Sequence, residues 1–230
     1  MPDTGIKERI TAQWRYFTSD RKSIYTLIIA LLIPVTYELM RFVPLEDTLT
    51  PHTFSMAPTL FLQKILGTDG IVAIAASYYY VIPHVLLLVG LLVMIFFSKN
   101  RPPWYYFTIA IMIYVIDFAI STLFPVAPPV RLAIHDYVPI RIEHFPLSET
   151  TITAHYSALP SGHIFTSVFG ALIAKLEGWK RTYYIYLANT VIMTVVIVYT
   201  GDHYLIDSFA SIALVAAIYV VMEKIVRKRK

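Results

Sequence analysis

Six apolar runs, each near the length of a membrane-crossing helix, leave this chain few folds to adopt. They cover residues 23–42, 71–97, 104–124, 161–176, 182–199 and 203–226. In hydrocarbon every backbone N–H and C=O must find its partner within the protein, so runs of this kind cross as α-helices. About 20 residues at roughly 1.5 Å each traverse a core of about 30 Å. The expected fold is therefore all-α: a polytopic membrane protein with six transmembrane helices in one bundle. Residues 54–66 are apolar but too short to cross, and are expected to form an outer re-entrant or interfacial segment. Charged residues make up 15% of the chain, against about 25% in a soluble domain. No linker-like composition divides residues 23–226, which are flanked by a polar segment, 1–22, and a basic tail, 227–230. The first run is too long for the core of a cleaved leader.

Charge placement sets the expected orientation. The net charge is +4 and there are 19 Lys and Arg residues. With the N-terminus inside, only Arg41, Lys64, Arg131 and Arg141 fall in outer segments, and the other fifteen lie inside. Positive charge accumulates on the cytosolic side, so both termini are expected there. The same distribution argues against a nucleic-acid partner, because the basic residues sit at the ends of apolar runs. With no cysteine, disulfides and thiolate metal sites are excluded.

Two polar islands interrupt this pattern: Pro160-Ser161-Gly162-His163 and Gly201-Asp202-His203-Tyr204-Leu205-Ile206-Asp207. Parity places both, and Arg131, on the outer side. Pro160-Ser161-Gly162 suits a helix start, where Ser161 can cap and Gly162 lets an anion approach free amides. Arg131 offers a planar fork for phosphate oxygens. His203 and Asp207 lie four apart, hence on one helix face. A carboxylate there can hold one imidazole nitrogen protonated and leave the other as nucleophile. His163 is then available to protonate a departing alkoxide. Nucleophile, orienting carboxylate, acid and anion donors together make a phosphoryl-transfer set. Glu38, His84 and Asp117 are further ionisable residues within the runs. His135, Asp136, His144 and His155 are irregularly spaced in a loop and read as solvated surface, with no metal or other cofactor expected.

At these residues the chain resembles the type 2 phosphatidic acid phosphatase superfamily of six-span lipid phosphatases and phosphotransferases. Pro160-Ser161-Gly162-His163 matches its second motif, and His203 with Asp207 the end of its third. Two departures are visible. Lys99-Asn100-Arg101-Pro102 is too compressed for the usual first motif and falls on the inner side. The Ser-Arg expected ahead of the third-motif His is replaced by Val196 and Ile197. Both departures resemble the inositol phosphorylceramide synthase-like branch and, more distantly, the sphingomyelin synthases. There Asp117, Pro125, Pro128, Pro129 and Arg131 resemble the first motif, with Val130 additional. His203-Tyr204-Leu205-Ile206-Asp207 resembles the third, and the stretch from Tyr79 to His84 is similar to a Tyr-rich segment ending in His.

The resemblance implies that residues 23–226 form a metal-independent catalytic domain. His203 would attack phosphorus to give a phosphohistidine, with His163 as acid and then base and Asp207 fixing the tautomer. Arg131 and the Ser161 and Gly162 amides would hold the phosphate, with Asp117, His84 and Tyr204 in support. The partner is then a membrane lipid substrate, a phospholipid or polyprenyl phosphate donor with a lipid hydroxyl or water as acceptor. Inositol-phosphate transfer is the first expectation, and plain hydrolysis of a lipid or polyprenyl phosphate the alternative. An anionic-lipid transporter using Glu38, His84 and Asp117 as a polar path is the reading from another class.

Overall fold

Nine α-helices and one short 3₁₀ turn are found among the described residues of the computed structural model, which are 6–40, 52–132, 136–145 and 158–228. They are α1 (Ile6–Ser19), α2 (Arg21–Met40), α3 (Ala57–Leu66), α4 (Ile71–Phe96), α5 (Pro103–Leu123), α6 (Ile140–His144), α7 (Gly162–Leu176), α8 (Lys180–Tyr199) and α9 (Leu205–Arg227), with the 3₁₀ turn at Pro129–Arg131 between α5 and α6. No strand occurs among the described residues; His52 and Val126 form an isolated bridge. Arg41, His135 and His155 lie outside the described residues, as does the side chain of Glu38.

Helices α4, α5, α8 and α9 are each long and apolar enough to cross a membrane. The all-α expectation holds. Helix α2, of 20 residues, covers the first expected run as far as Met40, beyond which the run lies outside the described residues, and the fourth is α7, of 15. Helix α7 is apolar but shorter than the four. Leu86, Leu123, Ile185, Val191 and Phe209 face outward and are exposed. An apolar exterior of that extent is unsuited to water and suits lipid.

Inside the bundle, Tyr105, Tyr106, Ile109, Phe165, Phe169, Ile173, Tyr186 and Ile218 build the main core. Tyr186 on α8 is the wedge. Its hydroxyl donates to Leu87 O at 3.0 Å on α4, and its ring covers Gly170 of α7 so closely that a Cβ there would collide with it. A second core of Ile140, Ile164, Met193, Ile197 and Tyr199 fills the end that carries the histidines. Helix α3 docks on α8 at that end. Its buried Gln63 donates to Val138 O at 2.8 Å and Tyr199 O at 3.1 Å, and accepts from Val138 N at 3.2 Å.

The opposite end is closed by a carboxylate. Buried Glu177 accepts the backbone amides of Lys99, Asn100 and Arg101 at 2.7, 2.9 and 3.2 Å and the Tyr106 hydroxyl at 2.6 Å. Arg101 pairs with Glu223 at 3.0 Å, and Tyr105 donates to Glu223 at 2.8 Å. The Lys99-Asn100-Arg101-Pro102 stretch is thus a joint between α4, α5, α7 and α9, far from the histidines along the bundle. Helix α1 docks at the same end, with Gln13 donating to Phe96 O at 2.6 Å and Phe17 packed on Phe96.

Hydrogen bonds to a charged group are the stronger ones, and a buried amide left without its acceptor carries the full desolvation cost. Glu177→Ala is expected to destabilise the fold by roughly 2–4 kcal/mol, lowering the thermal midpoint in detergent by roughly 5–10 °C. An unchanged midpoint would show that Glu177 does not hold the joint.

Candidate active site

The site begins with a proline strut. Proline fixes φ and has no N–H, so Pro125-Val126-Ala127-Pro128 cannot continue α5 and runs extended across the histidine end. The backbone groups it retains pair with three other segments. His52 N donates to Pro125 O at 2.8 Å, and Ala127 N to His52 O at 3.0 Å. Ala158 N donates to Val126 O at 3.1 Å, and Val130 N to Gly201 O at 2.9 Å. Gly201 turns the chain from α8 to α9 at φ +76° under the ring of Tyr137, where a Cβ would clash with that ring. The strut therefore clamps the chain ahead of α3, the entry to α7 and the α8–α9 turn together.

His203 sits at this junction, 8% exposed. Its Nδ1 is 2.7 Å from Ala158 O and 3.3 Å from Asp207 Oδ2. Both partners are acceptors, so in the neutral ring Nδ1 carries the proton and Nε2 keeps its lone pair. The expectation that His203 and Asp207 share a helix face needs correction. Helix α9 starts at Leu205, and His203 precedes it. They meet because Asp207, in the first turn, reaches back to accept Tyr204 N at 2.8 Å with the same oxygen. One carboxylate both caps the helix and orients the imidazole. Tyr204 is buried and packs edge-on against Phe54. Burial pulls the His203 pKa down, but the hydrogen bond and charge of Asp207, the charge of Asp202 and the Ala158 carbonyl together hold it above the usual 6.5.

The His163 ring lies 6.1 Å from that of His203, edge to face. On its other flanks it meets His84 at 4.1 Å and Tyr80 at 4.0 Å between ring centroids. His84 and Tyr80 are one turn apart on α4, and their common face is what α7 packs against. His84 Nδ1 is buried with no hydrogen-bond partner among the described residues. Ser161 takes the position preceding α7, yet its hydroxyl forms no cap. Its own amide instead donates to Ser211 Oγ of α9 at 2.8 Å. Gly162 stands exposed at the first helical position, with open space where a Cβ would be.

Sequence reasoning missed a buried ion pair beside these rings. Arg141, 3% exposed on α6, meets Asp202 Oδ1 through Nε at 2.8 Å and through a terminal nitrogen at 2.7 Å. Thr200 holds the other Asp202 oxygen at 2.8 Å. The guanidinium carbon lies 5.0 Å over the Tyr80 ring. The available signal was an arginine in a polar segment and an aspartate next to the candidate nucleophile, without anything to join them. Arg131 ends the 3₁₀ turn with its side chain exposed. Asp117 is buried toward the C-terminal end of α5.

A family model described as the PAP2 superfamily matches residues 49–221. The chain belongs to the PAP2 superfamily. No curated protein and no solved structure gives a match. PAP2 membership suggests a lipid phosphatase or phosphotransferase, and enzymes of this superfamily are generally metal-independent. The PAP2 match spans every residue described in this site. Away from it, Asp69, Glu143 and His144 place ligand atoms within 4.8 Å of one another. Both carboxylates are exposed, and His144 Nε2 lies 3.0 Å from Thr68 O.

A side-chain NMR titration of histidine-labelled protein should give His203 a midpoint above 6.5. Asp207→Asn removes the charge that favours the imidazolium and should lower that midpoint. A wild-type midpoint below 6.5, or one that Asp207→Asn leaves in place, would contradict the electrostatic picture.

Proposed function

We propose that the protein is a lipid phosphotransferase working through a phosphohistidine on His203, with transfer of an inositol-phosphate headgroup as the leading reaction. The observation that carries this reading is the pair of acceptors on His203 Nδ1, which leaves Nε2 as the nucleophile with His163 across from it. Nε2 attacks phosphorus of the donor phosphodiester. The bond from phosphorus to the lipid oxygen breaks, and His163 gives that oxygen its proton. The acceptor hydroxyl then attacks phosphorus, His163 takes the hydroxyl proton, and the P–N bond breaks. The second step reverses the first, and the enzyme returns unchanged.

Charge develops on the non-bridging oxygens in both steps, and preorganised donors aimed there lower the barrier. Gly162 and the amides that follow it at the start of α7 suit that task. Ser161 serves by its position, because its own amide is given to Ser211. Arg131, exposed at the end of the turn that follows the strut, adds a cation for the phosphate. Asp207 is an orienting residue, Tyr204 its anchor, and Asp117 and His84 support the surrounding helices. The charge distribution favours cytosolic termini and an extracytosolic site, and the Pro-x-x-Pro-Pro and His-Tyr-x-x-Asp patterns favour transfer over hydrolysis.

Purified protein offered phosphatidylinositol, other phospholipids and polyprenyl phosphates should form a new phospho-headgroup lipid without free phosphate. His203→Ala should lower the rate by roughly 10³-fold or more, and His163→Ala by roughly 10²–10⁴-fold. Inorganic phosphate as the main product would make the enzyme a phosphatase. Activity that survives His203→Ala would overturn the mechanism.

A further inference from the structure

Phosphoryl transfer in a desolvated site needs cationic charge close to the phosphate, because water no longer offsets it. Three cations are described at the histidine end. Lys64 and Arg131 are exposed, whereas Arg141 is buried. Arg141 also has a path of contacts to the reacting groups. Its guanidinium lies over Tyr80, and the Tyr80 ring packs on His163. Its carboxylate partner Asp202 is the residue immediately before His203.

Resting on the catalytic reading above, we propose that Arg141 is a substrate-binding residue that receives the phosphate of the bound lipid, with Asp202 as its resting counter-ion and orienting partner. A guanidinium presents its donors in a fixed planar fork that matches phosphate oxygens. Two features fix the plane of that fork. Asp202 grips Nε and one terminal nitrogen, and the aromatic face of Tyr80 lies beneath. Asp202 is itself held by Thr200, so the guanidinium is positioned before substrate arrives. The arriving phosphate shares the guanidinium with the carboxylate, and the free amides at the start of α7 meet the added negative charge. A short helix in a loop is a natural carrier for such a group. Ile140 of α6 packs into the second core, and Ser77 of α4 lies 3.3 Å from Ile140 O.

The test is orthovanadate binding to the full chain in detergent, followed by calorimetry. Arg141→Gln should weaken the dissociation constant by roughly 10- to 100-fold, while Asp202→Asn should retain binding. The double variant R141M/D202L replaces the ion pair with apolar groups and keeps the site neutral, so the fold survives if the single variant does not. It should bind orthovanadate as poorly as Arg141→Gln and raise KM for the lipid donor more than it lowers kcat. R141M/D202L that folds and binds orthovanadate with wild-type affinity would overturn the proposal, making the pair a structural tie alone. Wild-type protein with no affinity for orthovanadate would overturn it as well. Arg141-dependent orthovanadate binding in a protein that transfers no phosphoryl group would instead defeat the catalytic reading and leave this one standing.

Discussion

The hydrogen bond from His203 Nδ1–H to the Ala158 carbonyl, 2.7 Å long, is the interaction on which the site depends. It is shorter than the 3.3 Å contact to Asp207, and it comes from the backbone rather than a side chain. A carbonyl cannot donate, so the tautomer is settled without reference to the protonation of any acid. Ala158 is in turn placed by the proline strut through Val126 O. Rigidity in the strut therefore becomes orientation of an imidazole more than seventy residues further along the chain.

Polar chemistry inside an apolar bundle is stable only where each charge meets its complement. The two ends solve this differently. Glu177 gathers backbone amides and a tyrosine hydroxyl and ties the end of α7 to the α4–α5 turn and to α5. At the histidine end, carboxylates and carbonyls are arranged around imidazoles and one arginine, and buried polar atoms remain without partners among the described residues. Ser161 Oγ, Ser208 Oγ, Asp207 Oδ1 and His84 Nδ1 are such atoms. Buried groups in that condition are costly in a resting protein. Their concentration around His203 and His163 distinguishes this end from the satisfied joint at the other.

Much of this was legible in the sequence, and the reasons are physical. Apolar runs near twenty residues announce helices because hydrocarbon permits little else. Pro160 to His163 and Gly201 to Asp207 stood out because polar residues at the edge of such runs need a purpose. The loop contacts were not legible. Ala158, Arg141, Asp202 and Ser211 reach the histidines through pairings across many residues, and neither period nor motif encodes those. The same limit explains two departures. Ser161 has the residue type of a helix cap, but its hydroxyl makes no cap bond, and its backbone amide and carbonyl are paired with Ser211 instead. His203 and Asp207 have helical spacing, but the helix begins between them, at Leu205. Lys99 to Pro102 lies at the joint away from the histidines, and its work there became visible only with Glu177 in place.

The most direct measurement is to incubate the protein with a donor labelled at phosphorus, quench in alkali, and map the label by proteolysis. The account predicts an acid-labile, alkali-stable phosphoramidate on His203. The label should vanish in His203→Ala and accumulate when the acceptor hydroxyl is withheld. Turnover of the donor with no label at His203, or a label on another residue, would contradict it.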